Sequence, residues 1–156
     1  MGVRVRGRLT VVRPATEAEA ELLAAWHADP EVARFWDWEI FTVEEMRERL
    51  RRAEVDHYVI EAEGEPVGYL QAWNDGGFGL DMFLIPSARG RGYGPDAARA
   101  LARRLVTDGW QPLTVDPYTW NERAVQAWRR AGFEPVDERP PDDEHPDRWV
   151  LMEFRG

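Results

Sequence analysis

The chain predicts an α/β fold in which a mostly antiparallel sheet of about seven strands is flanked by about four helices. Three observations carry that expectation. Alternating apolar runs follow one another through the middle of the chain with Gly-containing connections, so successive strands pair as hairpins. Thr-x-x-Glu capping boxes open the helical runs near the start. Single strands then alternate with helical runs in the second half, giving the order β-α-α-β-β-β-α-β-α-β-β.

Val3 to Val12 alternates as a strand and is closed by Arg13-Pro14. Thr16-Glu17-Ala18-Glu19 launches a helix through Leu22, Leu23 and Trp26, which ends at Asp29-Pro30. A short helix through Val32 leads to Phe35-Trp36-Asp37-Trp38, and Thr42-Val43-Glu44-Glu45 caps another helix with Met46 and Leu50 at helical spacing. His57 to Glu63, the turn Gly64-Glu65 and Pro66 to Trp73 form a hairpin, and Asn74-Asp75-Gly76-Gly77 reverses the chain into Phe78 to Ile85. Pro95 suits the first turn of a helix through Leu101 and Leu105, stopped at Asp108-Gly109. Leu113 to Asp116 is a short strand ended by Pro117. Asn121 caps a helix that ends at Gly132, and Phe133 to Glu138 pairs with Arg148 to Phe154 around a Pro-rich loop. With 156 residues, no repeats and no linker, residues 1–156 are expected to form a single domain.

Composition excludes several chemistries. No cysteine means no disulfide, thiolate metal site or acyl-cysteine intermediate, and no lysine means no Schiff base. Ser87 is the only serine, so a Ser-His-Asp triad is disfavoured; His27, His57 and His145 lack ligand spacing and read as structural or surface groups, and no metal is expected. A net charge of -9 repels nucleic acid and anionic membranes and attracts cationic amines. No run of about 18 apolar residues occurs, and the first ten residues carry charge, so a soluble cytoplasmic protein is expected, a monomer or homodimer.

One segment stands out against the acidic background. Arg89-Gly90-Arg91-Gly92-Tyr93-Gly94 follows an apolar strand and precedes a helix. Such a turn leaves backbone N–H groups unpaired and convergent, which favours phosphate, and the arginines add permanent charge for a diphosphate. A Walker loop is disfavoured because no Gly-Lys-Ser/Thr follows. A Rossmann fingerprint lacks its βαβ repeat and trailing acid. A coenzyme A pyrophosphate loop fits best, while an ordinary tight turn with solvated arginines is the bland alternative.

The element order resembles the GNAT superfamily of N-acetyltransferases over nearly the whole chain. Arg89, Gly92 and Gly94 match its Gln/Arg-x-x-Gly-x-Gly/Ala loop, and Asn121, Ala124, Trp128, Gly132 and Phe133 match its second signature. Val115-Asp116-Pro117, Gly79-Leu80-Asp81 and the Phe35 to Trp38 cluster are similar to the aminoglycoside 6'-N-acetyltransferase branch. The resemblance implies acetyl-CoA as cofactor, a splayed central sheet, and direct transfer to a primary amine of a cationic small molecule. It also implies that a backbone N–H within Met82, Phe83 and Leu84 holds the attacked carbonyl. Asn121, Ala124 and Trp128 would border the pantetheine arm, beside a loop formed by Arg89, Gly90, Arg91, Gly92, Tyr93 and Gly94. The family places a tyrosine general acid where this chain has Trp128, and an indole N–H is no acid, which leaves water or Tyr93 to protonate the thiolate.

Amide formation needs a neutral amine, yet an alkylammonium is largely protonated at pH 7, as lysine is with a pKa of about 10.4. A base must take that proton, and Asp81 and Asp116 are the candidates, near the centre of one strand and at the end of another. The resemblance implies Asp81 as base and Asp116 as the amine-orienting partner. Trp36, Trp38 and Trp73 are candidates for the floor of a substrate cleft, with Asp37, Glu39 and Asp75 supplying charge. Two other readings stay open: acetylation of protein N-termini or siderophore precursors, and a non-catalytic coenzyme A binding module.

Overall fold

The computed structural model describes residues 2–156. Its backbone is an eight-stranded sheet of order β1-β2-β3-β4-β5-β6-β8-β7, with five α-helices distributed around it. The strands are β1 (Val5–Arg6), β2 (Val11–Pro14), β3 (Val55–Ala62), β4 (Glu65–Asn74), β5 (Phe78–Leu84), β6 (Leu113–Val115), β7 (Phe133–Arg139) and β8 (Trp149–Phe154). The helices are α1 (Ala20–Ala28), α2 (Pro30–Ala33), α3 (Val43–Arg51), α4 (Tyr93–Thr107) and α5 (Glu122–Ala131).

The single strand expected over Val3 to Val12 is instead two strands joined by a turn. The cause lies far along the chain. The Asp96 carboxylate, in the first turn of α4, accepts from the backbone N–H groups of Arg8, Leu9 and Thr10 at 2.9, 2.9 and 3.0 Å, and from the Thr10 hydroxyl at 2.8 Å. Amides bound to a carboxylate are withdrawn from any strand ladder, so pairing is interrupted there. The hairpin between β3 and β4 also turns one residue earlier than expected. Glu63 and Gly64 both have positive φ, 52° and 80°, the pair of conformations that a two-residue hairpin turn requires.

Capping chemistry places the early helices as their sequences predict. At α3, Thr42 Oγ1 accepts from the Glu45 N–H at 3.1 Å, and Glu45 Oε1 accepts from the Thr42 N–H at 2.9 Å. Asp29 likewise accepts from the Glu31 N–H at the start of α2.

Alternation along the strands feeds two cores. Leu70 and Leu80 pack with Leu101 of α4 and Phe133 of β7 on one side of the sheet, and Tyr69 and Phe83 pack with Leu23 and Met46 on the other. Each such side chain contributes about 1.5–3 kcal/mol by leaving water. The sheet opens at its middle. All pairings are antiparallel except β5 with β6, which run parallel and meet only at Phe78↔Leu113 and Gly79↔Thr114. Beyond Gly79 the two strands diverge, and the gap between them holds the features that follow.

Candidate active site

The divergence of β5 from β6 exposes backbone donors. The Ile85 N–H donates to the Val67 carbonyl at 3.0 Å, so in antiparallel alternation Phe83 and Asp81 also direct their amides at β4. Met82 and Leu84 therefore turn theirs toward the side that β6 has left. Beyond them, Gly90 and Gly92 hold φ of 78° and 81°, values that admit glycine and strain other residues. The next N–H to meet a carbonyl is that of Asp96, on Gly92 at 3.2 Å. Among the described residues, the N–H groups of Gly90 to Gly94 have no partner.

This loop forms one end of a groove of about 670 Å³, walled by Met82, Phe83 and Leu84 on one side and by Asn121, Ala124 and Trp128 on the other. Asn121 is fixed in place because its side-chain oxygen caps α5, accepting from the Ala124 N–H at 3.2 Å. Free amides at a helix start, a slot between a strand and a helix, and nearby cations suit a long, diphosphate-bearing ligand. The cations are distributed differently from expectation. Arg89 lines the groove but its Nη2 donates to the Glu31 carbonyl at 2.6 Å, and burial pulls its pKa down. Arg91 is exposed and does not line the groove, whereas Arg123 and Arg130 of α5 do. Helical spacing puts these two together on the groove side of α5. Tyr93 contributes backbone only: its ring is buried in the core, away from both the groove and the adjoining cavity, and it is not available as an acid.

A second cavity, of about 340 Å³, adjoins the groove and shares Phe35, Met82, Asn121, Ala124 and Trp128 with it. Its walls carry five carboxylates, Asp37, Glu39, Asp81, Asp116 and Glu144, against Arg49 and His145. Burial, first, and the Asp116 charge, second, push the Asp81 pKa up to about 6, against the stabilising hydrogen bonds from Gln71 and Trp73. A carboxyl poised there suits proton exchange near neutrality.

Asp116 faces a group that the sequence reads as structural or surface. His145, on the loop between β7 and β8, places Nε2 at 2.7 Å from Asp116 Oδ2 and Nδ1 at 2.8 Å from Asp142 Oδ1. Its ring stacks on Trp149 with centroids 4.2 Å apart. Two carboxylates outweigh partial burial and raise its pKa, favouring the imidazolium that alone donates to both. The reading of His145 as a mere structural or surface group is corrected here, because it lines the cavity. Twenty-nine residues separate it from Asp116, and no local spacing announces the pair. His27 and His57 are buried and lie off the lining of the cavity.

The expected aromatic floor is rearranged. Trp36 and Asp37 line the cavity, and Asp37, at φ 52°, accepts from the Tyr118 hydroxyl at 2.9 Å. Trp38 is 63% exposed and outside the cavity, because the left-handed turn at Asp37-Trp38 projects it to solvent. Trp73 is also off the lining; its ring lies over Gly79, and its indole hydrogen bond to Asp81 supports the carboxyl from outside the wall. Asp75 sits in the exposed β4–β5 turn, away from the cavity. Tyr118 lines the cavity, a position sequence reading missed, and Trp120, off the lining, stacks on it at 5.6 Å.

Comparison with known proteins agrees with this architecture. Residues 8–134 match the family described as acetyltransferase (GNAT) domain. Aminoglycoside N(6')-acetyltransferase type 1 of Klebsiella pneumoniae is 27% identical over 146 residues, covering 79% of this chain and 73% of that protein. The structure of AAC(6')-Ib with coenzyme A and kanamycin superposes with a TM-score of 0.78 at 26% identity, covering 94% of this chain and 95% of the other. RimL, a ribosomal L7/L12 alpha-N-protein acetyltransferase, shares the fold at a TM-score of 0.82 and 15% identity, over 97% of each chain. The protein belongs to the GNAT family of acetyltransferases, whose acyl donor is acetyl-CoA.

Proposed function

We propose that this protein is an N-acetyltransferase that moves an acetyl group from acetyl-CoA to a primary amine of a cationic small molecule of the aminoglycoside type, by direct attack in a ternary complex. One observation carries the reading: a cavity with five carboxylates opens into the groove beside the glycine loop, through a shared wall. A polycation gathered by the cavity thus has an amine held next to whatever the groove binds.

The groove residues fit coenzyme A. The free amides of Gly90 to Gly94 would receive the diphosphate, with Arg123 and Arg130 supplying charge. Asn121, Ala124 and Trp128 would flank the pantetheine, and the outward N–H of Met82 or Leu84 would meet the thioester oxygen. When bound, the cofactor supplies an activated acetyl group. The remaining chemistry belongs to the protein. Asp81 takes the proton from the acceptor ammonium, and the other cavity carboxylates hold the rest of the cation. Asp116 orients the amine. Trp128 borders the shared wall but its indole is no acid, and Tyr93 is buried, so water would supply the proton to the departing thiolate.

A free-thiol release assay across aminoglycosides, linear polyamines, N-terminal peptides and hydroxylamines tests the proposal. Release with aminoglycosides well above the other classes is expected. Release only with peptides or hydroxylamines would move the acceptor class, and tight cofactor binding without release on any amine would make the protein a binding module.

A further inference from the structure

Behind Asp81 runs a string of hydrogen bonds that the chemistry above does not use. The Arg49 carbonyl meets His57 Nε2 at 2.8 Å, His57 Nδ1 meets the Tyr69 hydroxyl at 2.5 Å, and that hydroxyl meets Gln71 Oε1 at 2.9 Å. Gln71 Nε2 then donates to Asp81 Oδ2 at 2.9 Å. Strand alternation explains the alignment: Tyr69, Gln71 and Asp81 share one face of β4 and β5, and His57 and Gln71 are register partners. His57 and Tyr69 are buried, so water does not fill in for a missing donor.

Counting hydrogens along the string shows which combinations of charge at its two ends are consistent. A carbonyl only accepts, so His57 Nε2 carries a hydrogen. If the imidazole is neutral, Nδ1 is bare and Tyr69 must spend its one hydrogen there. The Tyr69 oxygen can then only accept, Gln71 presents its NH2 inward, and its oxygen faces Asp81, which must be a protonated carboxyl. If Asp81 is ionised, it draws the Gln71 NH2 outward. The Gln71 oxygen takes the Tyr69 hydrogen, and Nδ1 must donate to Tyr69, which makes His57 an imidazolium. A protonated Asp81 also fits with imidazolium, because its second oxygen still accepts from Gln71, so the excluded combination is neutral His57 with ionised Asp81, which sets two lone pairs or two hydrogens against each other along the string.

We infer that His57 and Asp81 hold at least one proton between them through Tyr69 and Gln71, so that His57 is a positioning residue that sets the charge of the cavity carboxyl from two side chains away. Its consequence for turnover rests on the proposed role of Asp81 as base; the linkage itself does not. The surroundings pull in opposing directions. Burial and the charges of Arg49 and Arg52 disfavour imidazolium while the Arg49 carbonyl and Asp56 favour it, and His27, whose ring nitrogens have no partner among the described residues, lies on the same side. At the other end, burial and the charges of Asp116 and Asp37 favour the protonated carboxyl, and the Trp73 indole favours the carboxylate. Arg49 Nη2, at 3.3 Å from Gln71 Oε1, favours the state with ionised Asp81.

Imidazole NMR titration of the free protein, with the His57 signals assigned through His57→Gln, tests the linkage without any acceptor. Asp81→Asn should lower the His57 midpoint by about one pH unit. In a Gln71→Met background, which keeps both end groups and cuts the string, Asp81→Asn should leave that midpoint unchanged. An unmoved midpoint in Asp81→Asn, or an equal shift in both backgrounds, overturns the inference, the latter because it reports only the field of the Asp81 charge. Tyr69→Phe cuts the string at another point, should one variant fail to fold. There Gln71 donates to Asp81 whatever the state of His57, so the acid limb of the kcat/KM profile moves to lower pH; a lower kcat with an unmoved limb assigns Tyr69 to packing and overturns the linkage. Failure of every amine in the thiol assay would strike the proposed function and leave the titration result standing.

Discussion

The groove and the cavity sit side by side but are built in opposite ways. The groove comes from two short stretches, 82–95 and 121–130, plus Phe35, and its key groups are backbone amides released by glycine geometry and helix starts. The cavity draws side chains from the segment after α2, from α3, β4, β5, the loop after β6, α5 and the β7–β8 loop. Backbone sites recur as motifs because the chain's own geometry makes them. Side-chain sites scatter because any element that reaches the gap can contribute, which lets one family keep its donor while changing its acceptor.

That division can be broken experimentally, and the largest effect is expected in the cavity. Asp81→Asn should lower kcat by about 10²–10⁴-fold while leaving coenzyme A affinity unchanged by calorimetry. In the unaltered protein kcat/KM should fall as pH drops through about 6, where Asp81 takes up a proton, and the variant should lack that limb. Loss of cofactor affinity in Asp81→Asn would join the two regions that the structure separates.

Next in size is the groove. Gly92→Val forces a β-branched residue to φ 81°, at about 1–3 kcal/mol, and should weaken coenzyme A binding about tenfold or more. With cofactor saturating, the acceptor KM should stay put.

Asp96 tests the scaffold under both regions. Asp96→Ala frees three backbone amides and a hydroxyl and should cost about 1–3 kcal/mol in denaturant unfolding. Those hydrogen bonds depress the Asp96 pKa against the opposing effect of burial. Its contribution is therefore present above the unfolded carboxylate pKa, near 4, and is lost as pH falls through the lower folded value. The variant should show a shallower acid loss of stability.

The smallest effect belongs to His145. Its folded pKa is raised, so its stabilisation is complete below about pH 6.5 and fades as pH rises through the folded value. Thermal melts of His145→Gln should lack that fall, which in the unaltered protein is expected as a drop of a few degrees as pH rises past about 6.5. A fall of equal size in the variant would remove His145 from the link between the β7–β8 loop and Asp116.

Much of this was legible in one dimension. Capping boxes, the glycine loop, the β3–β4 hairpin and the Asn121 cap are local signals, because each depends on groups a few residues apart. Asp81 and Asp116 were legible as candidates by their strand positions. Other groups were hidden by distance: His145 reaches Asp116 across a loop, Arg123 and Arg130 take the groove side that Arg91 leaves, and Asp96 splits a strand some 86 residues away. The turn at Asp37-Trp38 moved one predicted tryptophan out of the cavity, since no residue type there announces two left-handed conformations in succession.

Residue order alone determined the arrangement of helices and strands, the anion-seeking loop and the exclusion of thiol and lysine chemistry, because backbone conformation and composition act within a few residues. Only the tertiary structure decided which carboxylates face one another, which arginines border the groove, and which histidine meets Asp116. Those choices are electrostatic and steric meetings between segments far apart in the chain, and they exist only once the sheet has parted and brought the segments to its gap.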